Sequence, residues 1–243
     1  MIEFNLSMIL HIVGDFYTQS ERLSELKVTS TKHLLIHVLV YTLPFTVLVY
    51  LMTNLQISLL SSLLIFSTHY LTDHFKIKHE KKHCVNYRIF LIDQAAHIFV
   101  IYILNLVLNS QSMITLDFLY EFLNISGVNF NLDYLLNILV ISLLIYKPTA
   151  IFIKLFLSTL SHPFDNDSKA IKNTGEIIGI LERFTIVLLG LMNQWSSIAL
   201  VITAKSIARF KQLEDKDFAE KYLIGTLLSV SITLLLLYLY FFK

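Results

Sequence analysis

A chain of 243 residues in which 55% are hydrophobic and 15% charged, with a mean hydropathy of +0.65, carries more apolar surface than a soluble core can bury. A formal net charge of +1 provides no basic field for nucleic acid, and the single cysteine, Cys84, excludes an intramolecular disulfide. Three prolines and six glycines supply little turn chemistry, and the apolar runs exceed strand length, so the expected fold is all-α, a polytopic transmembrane helical bundle.

The first apolar stretch, near 4–18, has Glu3 where a signal sequence would be basic, holds His11 and Asp15, and lacks a small-residue cleavage site, so it is expected to remain in the mature protein. Further segments near 33–53, 57–75, 89–108, 132–154, 177–193, 195–210 and 222–242 bring the count to about eight. Crossing a hydrocarbon core takes about 20 residues, which makes the first, sixth and seventh candidates for short or re-entrant helices. Within the 109–131 connection, Leu116, Phe118, Leu119, Phe122 and Leu123 recur at helical spacing and predict a short outer amphipathic helix. With no repeat and no long linker, residues 1–243 read as one membrane domain.

Lysine and arginine fall on alternate connections. Arg22, Lys27 and Lys32, then Lys76, Lys78, Lys81, Lys82 and Arg88, then Lys154, Lys169 and Lys172, then Lys205, Arg209, Lys211, Lys216 and Lys221 mark one side. The 53–56 and 109–131 connections and the Asn193-Gln194 turn have none. By the positive-inside rule the basic connections are cytoplasmic, and eight segments put both termini outside.

Ionisable groups inside apolar runs are expensive and are functional candidates for that reason. His11 and Asp15, His69 and Asp73, and Asp93 and His97 are each four apart and share a helix face. The lysine-derived topology places His11, His37, His69 and His97 in one layer. Asp15, Asp73 and Asp93 fall about one helical turn nearer the cytoplasm. Neutral imidazoles with carboxylates suit a divalent metal ion, zinc most plausibly, with His11, His69 and His97 as ligands and Asp15, Asp73 and Asp93 as ligands, supports or catalytic carboxylates. The alternative is a set of structural His–Asp hydrogen bonds between helices.

A second polar set lies in the C-terminal third. Glu182 is a candidate general base beside a metal-bound water, or a partner for Lys205. Arg183, Lys205 and Arg209 supply cations for an anionic ligand, a phosphate-bearing lipid headgroup or metabolite, with Gln19, His37 and Gln94 as further polar binding groups. The opposing account pairs these cations with Glu182, Asp73 and Asp93. Lys147, followed by Pro148, adds a cation at the inner end of the fifth segment.

His11-Ile12-Val13-Gly14-Asp15-Phe16 with Gln19, His69 with Asp73 and Lys76, Asp93-Gln94 with His97, Gly179-Ile180-Leu181-Glu182-Arg183, the stretch from Ala204 to Phe210 and that from Leu223 to Ser229 resemble an uncharacterised bacterial multi-pass membrane family, domain-of-unknown-function family 3307. That resemblance implies a bacterial cytoplasmic membrane protein and transfers no catalytic residue. The leading functional expectation is a metal-dependent, membrane-embedded hydrolase working from the cytoplasmic side. A transporter or channel using the same groups as an ion or proton relay is the rival class, and a non-catalytic partner subunit recruiting through the basic 76–88 loop is the third.

Overall fold

The computed structural model describes residues 2–82, 85–108, 131–159 and 169–242, and every regular element among them is helical. Cys84 and the expected outer helix around Leu116 to Leu123 lie outside the described residues. The elements are α1 (Ile2–Ile12), a π-helical turn (Val13–Tyr17), α2 (Glu21–Thr29), α3 (Thr31–Met52), α4 (Leu55–Glu80), α5 (Tyr87–Leu108), α6 (Leu132–Tyr146), α7 (Pro148–Ser158), α8 (Lys169–Leu191), α9 (Trp195–Ala208), a 3-10 turn (Phe210–Glu214) and α10 (Lys216–Phe241).

Five stretches are long and apolar enough to cross a bilayer: Thr31–Met52, Leu55–Glu80, Tyr87–Leu108, Leu132–Ser158 and Lys216–Phe241. The sequence reading had counted eight segments. Apolar α9 is shorter than a full span, as expected for the seventh. The faces of these helices are inverted relative to a soluble protein. On α3 and α4, Leu39, Leu43, Leu59 and Leu63 are exposed while His37, His69 and Asp73 are buried. That pattern fits a lipid surroundings, where polar side chains turn inward.

Between apolar helices in lipid, association relies on close packing and hydrogen bonds rather than on water exclusion. The α3–α4 hairpin follows that rule. Asn54 caps α4 by accepting from Ile57 N at 2.9 Å, Thr46 and Ser62 share a 2.7 Å hydroxyl contact, and Ser58 donates to the Thr46 carbonyl at 2.8 Å. Helix α2 was not foreseen. It starts because Ser20 accepts from Leu23 N at 3.2 Å, satisfying a first-turn donor.

The chain divides into two compact units, Met1–Val140 and Ile141–Lys243. The first holds α1 to α5. In the second, Ile141, Ile145, Val187 and Leu237 form the core. Gly190 allows α8 and α10 to meet closely there, since a Cβ at that position would lie 2.7 Å from Leu237 Cδ1. The expected fifth segment is broken at Lys147: Pro148 has no N–H and begins α7, and Thr149 donates its hydroxyl to the Leu144 carbonyl at 2.8 Å.

The turn between α8 and α9 places Asn193 at φ 56°, a left-handed conformation that asparagine tolerates. A thiol probe of orientation therefore belongs at exposed Gln194. The lysine-derived topology predicts that a membrane-impermeant reagent labels Gln194→Cys on intact cells and reaches Cys84 only after lysis. Labelling of Cys84 without lysis would reverse the orientation.

Candidate metal centre

In the first unit, helical spacing sets the side chains. His69 and Asp73 project from α4, Asp93, Gln94 and His97 from α5, and His37 with Tyr41 from α3. Asp15 comes from the π turn, where Thr18 N bonds to the Val13 carbonyl five residues back at 2.9 Å. Such single turns recur at functional sites. Gly14 lies in the same turn, and a Cβ there would sit 2.8 Å from Tyr41 Cδ2. Lacking one, the backbone packs onto the Tyr41 ring, which stacks on His69 with centroids 3.8 Å apart and planes 9° apart.

All four histidines of the expected layer meet. His69 lies 4.5 Å from His97 and 5.2 Å from His37 between ring centroids, and His11 stacks on His97 at 5.5 Å. His11, His37 and His69 are each 1% exposed. Their hydrogen bonds separate them into two kinds. His11 has both nitrogens engaged, Nδ1 with Tyr41 Oη at 2.9 Å and Nε2 with Gln94 Oε1 at 3.2 Å. His97 Nδ1 donates to the Asp93 carbonyl at 2.7 Å, and its Nε2 meets Thr72 Oγ1 at 3.1 Å.

His37 and His69 differ, because their Nε2 atoms face each other at 3.2 Å while neither Nδ1 has a hydrogen-bond partner among the described residues. Around the His37 Nε2 atom lie Asp73 Oδ2 at 3.5 Å and Asp15 Oδ1 at 3.7 Å. In a tetrahedron with metal–ligand distances near 2.1 Å the ligand atoms are about 3.4 Å apart. These separations are of that size.

Two groups of side chains thus have metal-ligand spacing, Asp15 with His37 and His69, and His69 with Asp73 and His97. Of the ligands expected from sequence, His69, Asp73 and His97 are included. His37, read there as a binding group, joins them, as does Asp15. His11 and Asp93 fall outside both groups. His11 is held by Tyr41 and Gln94, and Asp93 Oδ2 accepts from Lys76 at 2.7 Å.

The charge balance follows from two lysines. Lys27 donates to Asp73 Oδ2 at 2.9 Å and to Gln19 Oε1 at 3.0 Å, and Lys76 pairs with Asp93. Among the described residues Asp15 has no lysine partner; its Oδ2 accepts from Gln94 Nε2 at 2.8 Å. Three carboxylates face two ammonium groups, so with neutral imidazoles the cluster lacks one positive charge. Sequence reasoning had used Lys27 only to mark a loop, and missed Tyr41 and Thr72. Spacing offered a signal for two of these groups, since Tyr41 is four residues from His37 and Thr72 three from His69.

The second polar set lies in the other unit. Lys205 donates to Glu182 Oε2 and, at 3.1 Å, to Thr226 Oγ1, which is the ion pair anticipated as the alternative to catalysis. Arg183 is bound through Nε to the Ile145 carbonyl at 2.7 Å and through Nη1 to Ser229 Oγ at 3.3 Å. Arg209 lies over the rings of Phe218 and Tyr222 at 6.0 and 5.9 Å. The carboxylates offered to it in sequence, Asp73 and Asp93, are taken by Lys27 and Lys76. Lys205→Met, which strands buried Glu182, is therefore expected to destabilise by about 3–5 kcal/mol. Arg209→Gln should lose about 0.5–1 kcal/mol of cation–π energy. Thermal unfolding in detergent that ranks them in the opposite order would contradict this assignment.

Fold and site together define a polytopic helical membrane protein with a buried His/Asp cluster able to hold a metal ion. Residues 4–123, which carry that whole cluster, match the family described as Protein of unknown function (DUF3307). The stretches around Glu182, Lys205 and Gly225 lie beyond the matched residues. No curated protein and no solved structure matches the chain.

Proposed function

We propose that this protein is a membrane-embedded metalloprotein whose His37, His69 and Asp15 bind one divalent ion, zinc by donor chemistry, and that the ion serves hydrolysis of an anionic, phosphate-bearing substrate. The observation that carries the reading is the 3.2 Å approach of two imidazole Nε2 atoms beside two carboxylates at ligand-edge distances. A cation there supplies the positive charge that Asp15 lacks. Three protein ligands leave one position for water, the arrangement typical of catalytic zinc. Zinc would acidify that water and polarise the phosphoryl oxygen. Asp73, 3.5 Å from His37 Nε2, would take the water's proton and return it to the leaving alkoxide as the phosphorus–oxygen bond breaks. Glu182 is engaged by Lys205 and is given no part in this step.

A relay remains the second reading because buried polar contacts continue along α1 beyond His11. Asn105 Nδ2 donates to Ser7 Oγ at 3.2 Å, and Asn5 Nδ2 donates to Asn137 Oδ1 at 2.7 Å. One preparation separates the readings. Purified protein is assayed for phosphate release from dioctanoyl phosphatidic acid and p-nitrophenyl phosphate, and, in proteoliposomes, for proton and zinc flux. The hydrolase reading expects chelator-sensitive release that zinc restores and His69→Ala abolishes. Flux sensitive to Asn105→Leu without any release would replace it with the relay.

A further inference from the structure

At the charged end of the first unit a cleft of about 320 Å³ opens between the α2–α3 corner and the last turns of α4. Its polar lining is Lys27, the Thr29-Ser30-Thr31 run, His74, Lys78 and Lys81, and no carboxylate lines it. The apolar part of its wall is Val28, Leu34 and Ile77, which pack together. Lys78 and Lys81 are exposed, whereas Lys27 is 10% exposed and reaches inward to Asp73.

We propose that this cleft binds a phosphate group, and that it rather than the Arg183, Lys205 and Arg209 set is the anion-recognition site. Two solvated ammonium groups, those of Lys78 and Lys81, line the same open space as the hydroxyl-bearing Thr29, Ser30 and Thr31, and phosphate accepts from both donor types. In the second unit, by contrast, Arg183 and Lys205 already donate to protein acceptors and Arg209 covers aromatic rings. The apolar wall gives the cleft a second character. A lipid phosphate at the headgroup level would set its glycerol against Leu34 and Ile77 while the lysines neutralise its charge. Free phosphate would use the lysines and hydroxyls alone. Lys27 joins the cleft to the metal cluster through Asp73, so a phosphate bound here lies beside the proposed chemistry. The inference rests on the hydrolase reading for the use of the ligand but not for its binding.

The test is calorimetric titration of the detergent-solubilised full chain, in chelator, with dioctanoyl phosphatidic acid, dioctanoylglycerol and inorganic phosphate. Working in chelator keeps the result independent of the metal site. Phosphatidic acid is expected to bind, dioctanoylglycerol not, and the Lys78→Gln/Lys81→Gln double variant is expected to bind about 30-fold more weakly. Both lysines are exposed, and unfolding temperature checks that the variant folds. A Lys211→Gln/Lys216→Gln variant, which removes two exposed charges elsewhere, is expected to bind as wild type. Inorganic phosphate binding as tightly as the lipid would support the site with a soluble phosphate as its source. No binding of either phosphate compound, unchanged binding in the Lys78→Gln/Lys81→Gln protein, or equal loss in the two double variants would overturn the proposal.

Discussion

Asp73→Asn is expected to destabilise the protein by about 3–5 kcal/mol, the usual consequence of removing one partner from a buried ion pair. Its carboxylate is 1% exposed and accepts from Lys27 at 2.9 Å, so the amide strands an ammonium that is itself 10% exposed. Asparagine preserves the shape, which isolates charge from packing. The second variant, Asp73→Asn/Lys27→Met, removes the stranded ammonium and should recover most of the loss. Denaturant unfolding of the three proteins in one detergent measures both effects. A loss below about 1 kcal/mol for Asp73→Asn alone would mean that the pair is worth no more than an exposed one.

The other large effect is expected at Gly14. A valine there places Cβ 2.8 Å from Tyr41 Cδ2, and the ring has little room to retreat, because it is 2% exposed and stacked on His69. Overpacking of this kind costs about 1–3 kcal/mol. The consequence for function exceeds the consequence for stability, since a displaced Tyr41 moves His69 from His37 and releases the His11 Nδ1 contact. Metal content measured at a temperature where Gly14→Val is still folded should fall well below wild type. Full metal occupancy in that folded variant would show that the Tyr41–His69 stack does not position the ligands.

Much of this arrangement is visible in the linear sequence because helical geometry converts spacing into facing. The three i, i+4 pairs of His and Asp, placed at a common depth by the lysine pattern, do converge on one cluster of four histidines and three aspartates. Apolar runs located α3, α5 and the Leu132–Ser158 stretch to within about four residues, whereas α4 and α10 run on into charged sequence at their polar ends. What stayed hidden depends on rotation about helix axes and on contacts between elements distant in sequence. Which nitrogen of each histidine is free is one such property. His11 and His37 look alike in sequence, yet Tyr41 and Gln94 occupy the first while His69 faces the second. The π turn at Val13–Tyr17 is another, since an extra residue in one turn leaves no mark on apolar periodicity. Lys27 and Lys76 were read for topology and so were not paired with Asp73 and Asp93, although a long side chain at a helix end can reach a buried acid on a neighbouring helix.

Metal analysis of protein purified without added chelator tests the proposed metal centre most directly. Wild type should carry one divalent ion per chain, zinc by preference, and should release it as pH falls, because protonated imidazoles cannot act as ligands. His37→Ala and His69→Ala should each lose the ion while remaining folded, whereas His11→Phe, altered at a histidine whose two nitrogens contact other side chains, should keep it. Wild-type protein that is folded, active and free of metal, or ion content lost in His11→Phe and kept in His37→Ala, would contradict the central claim.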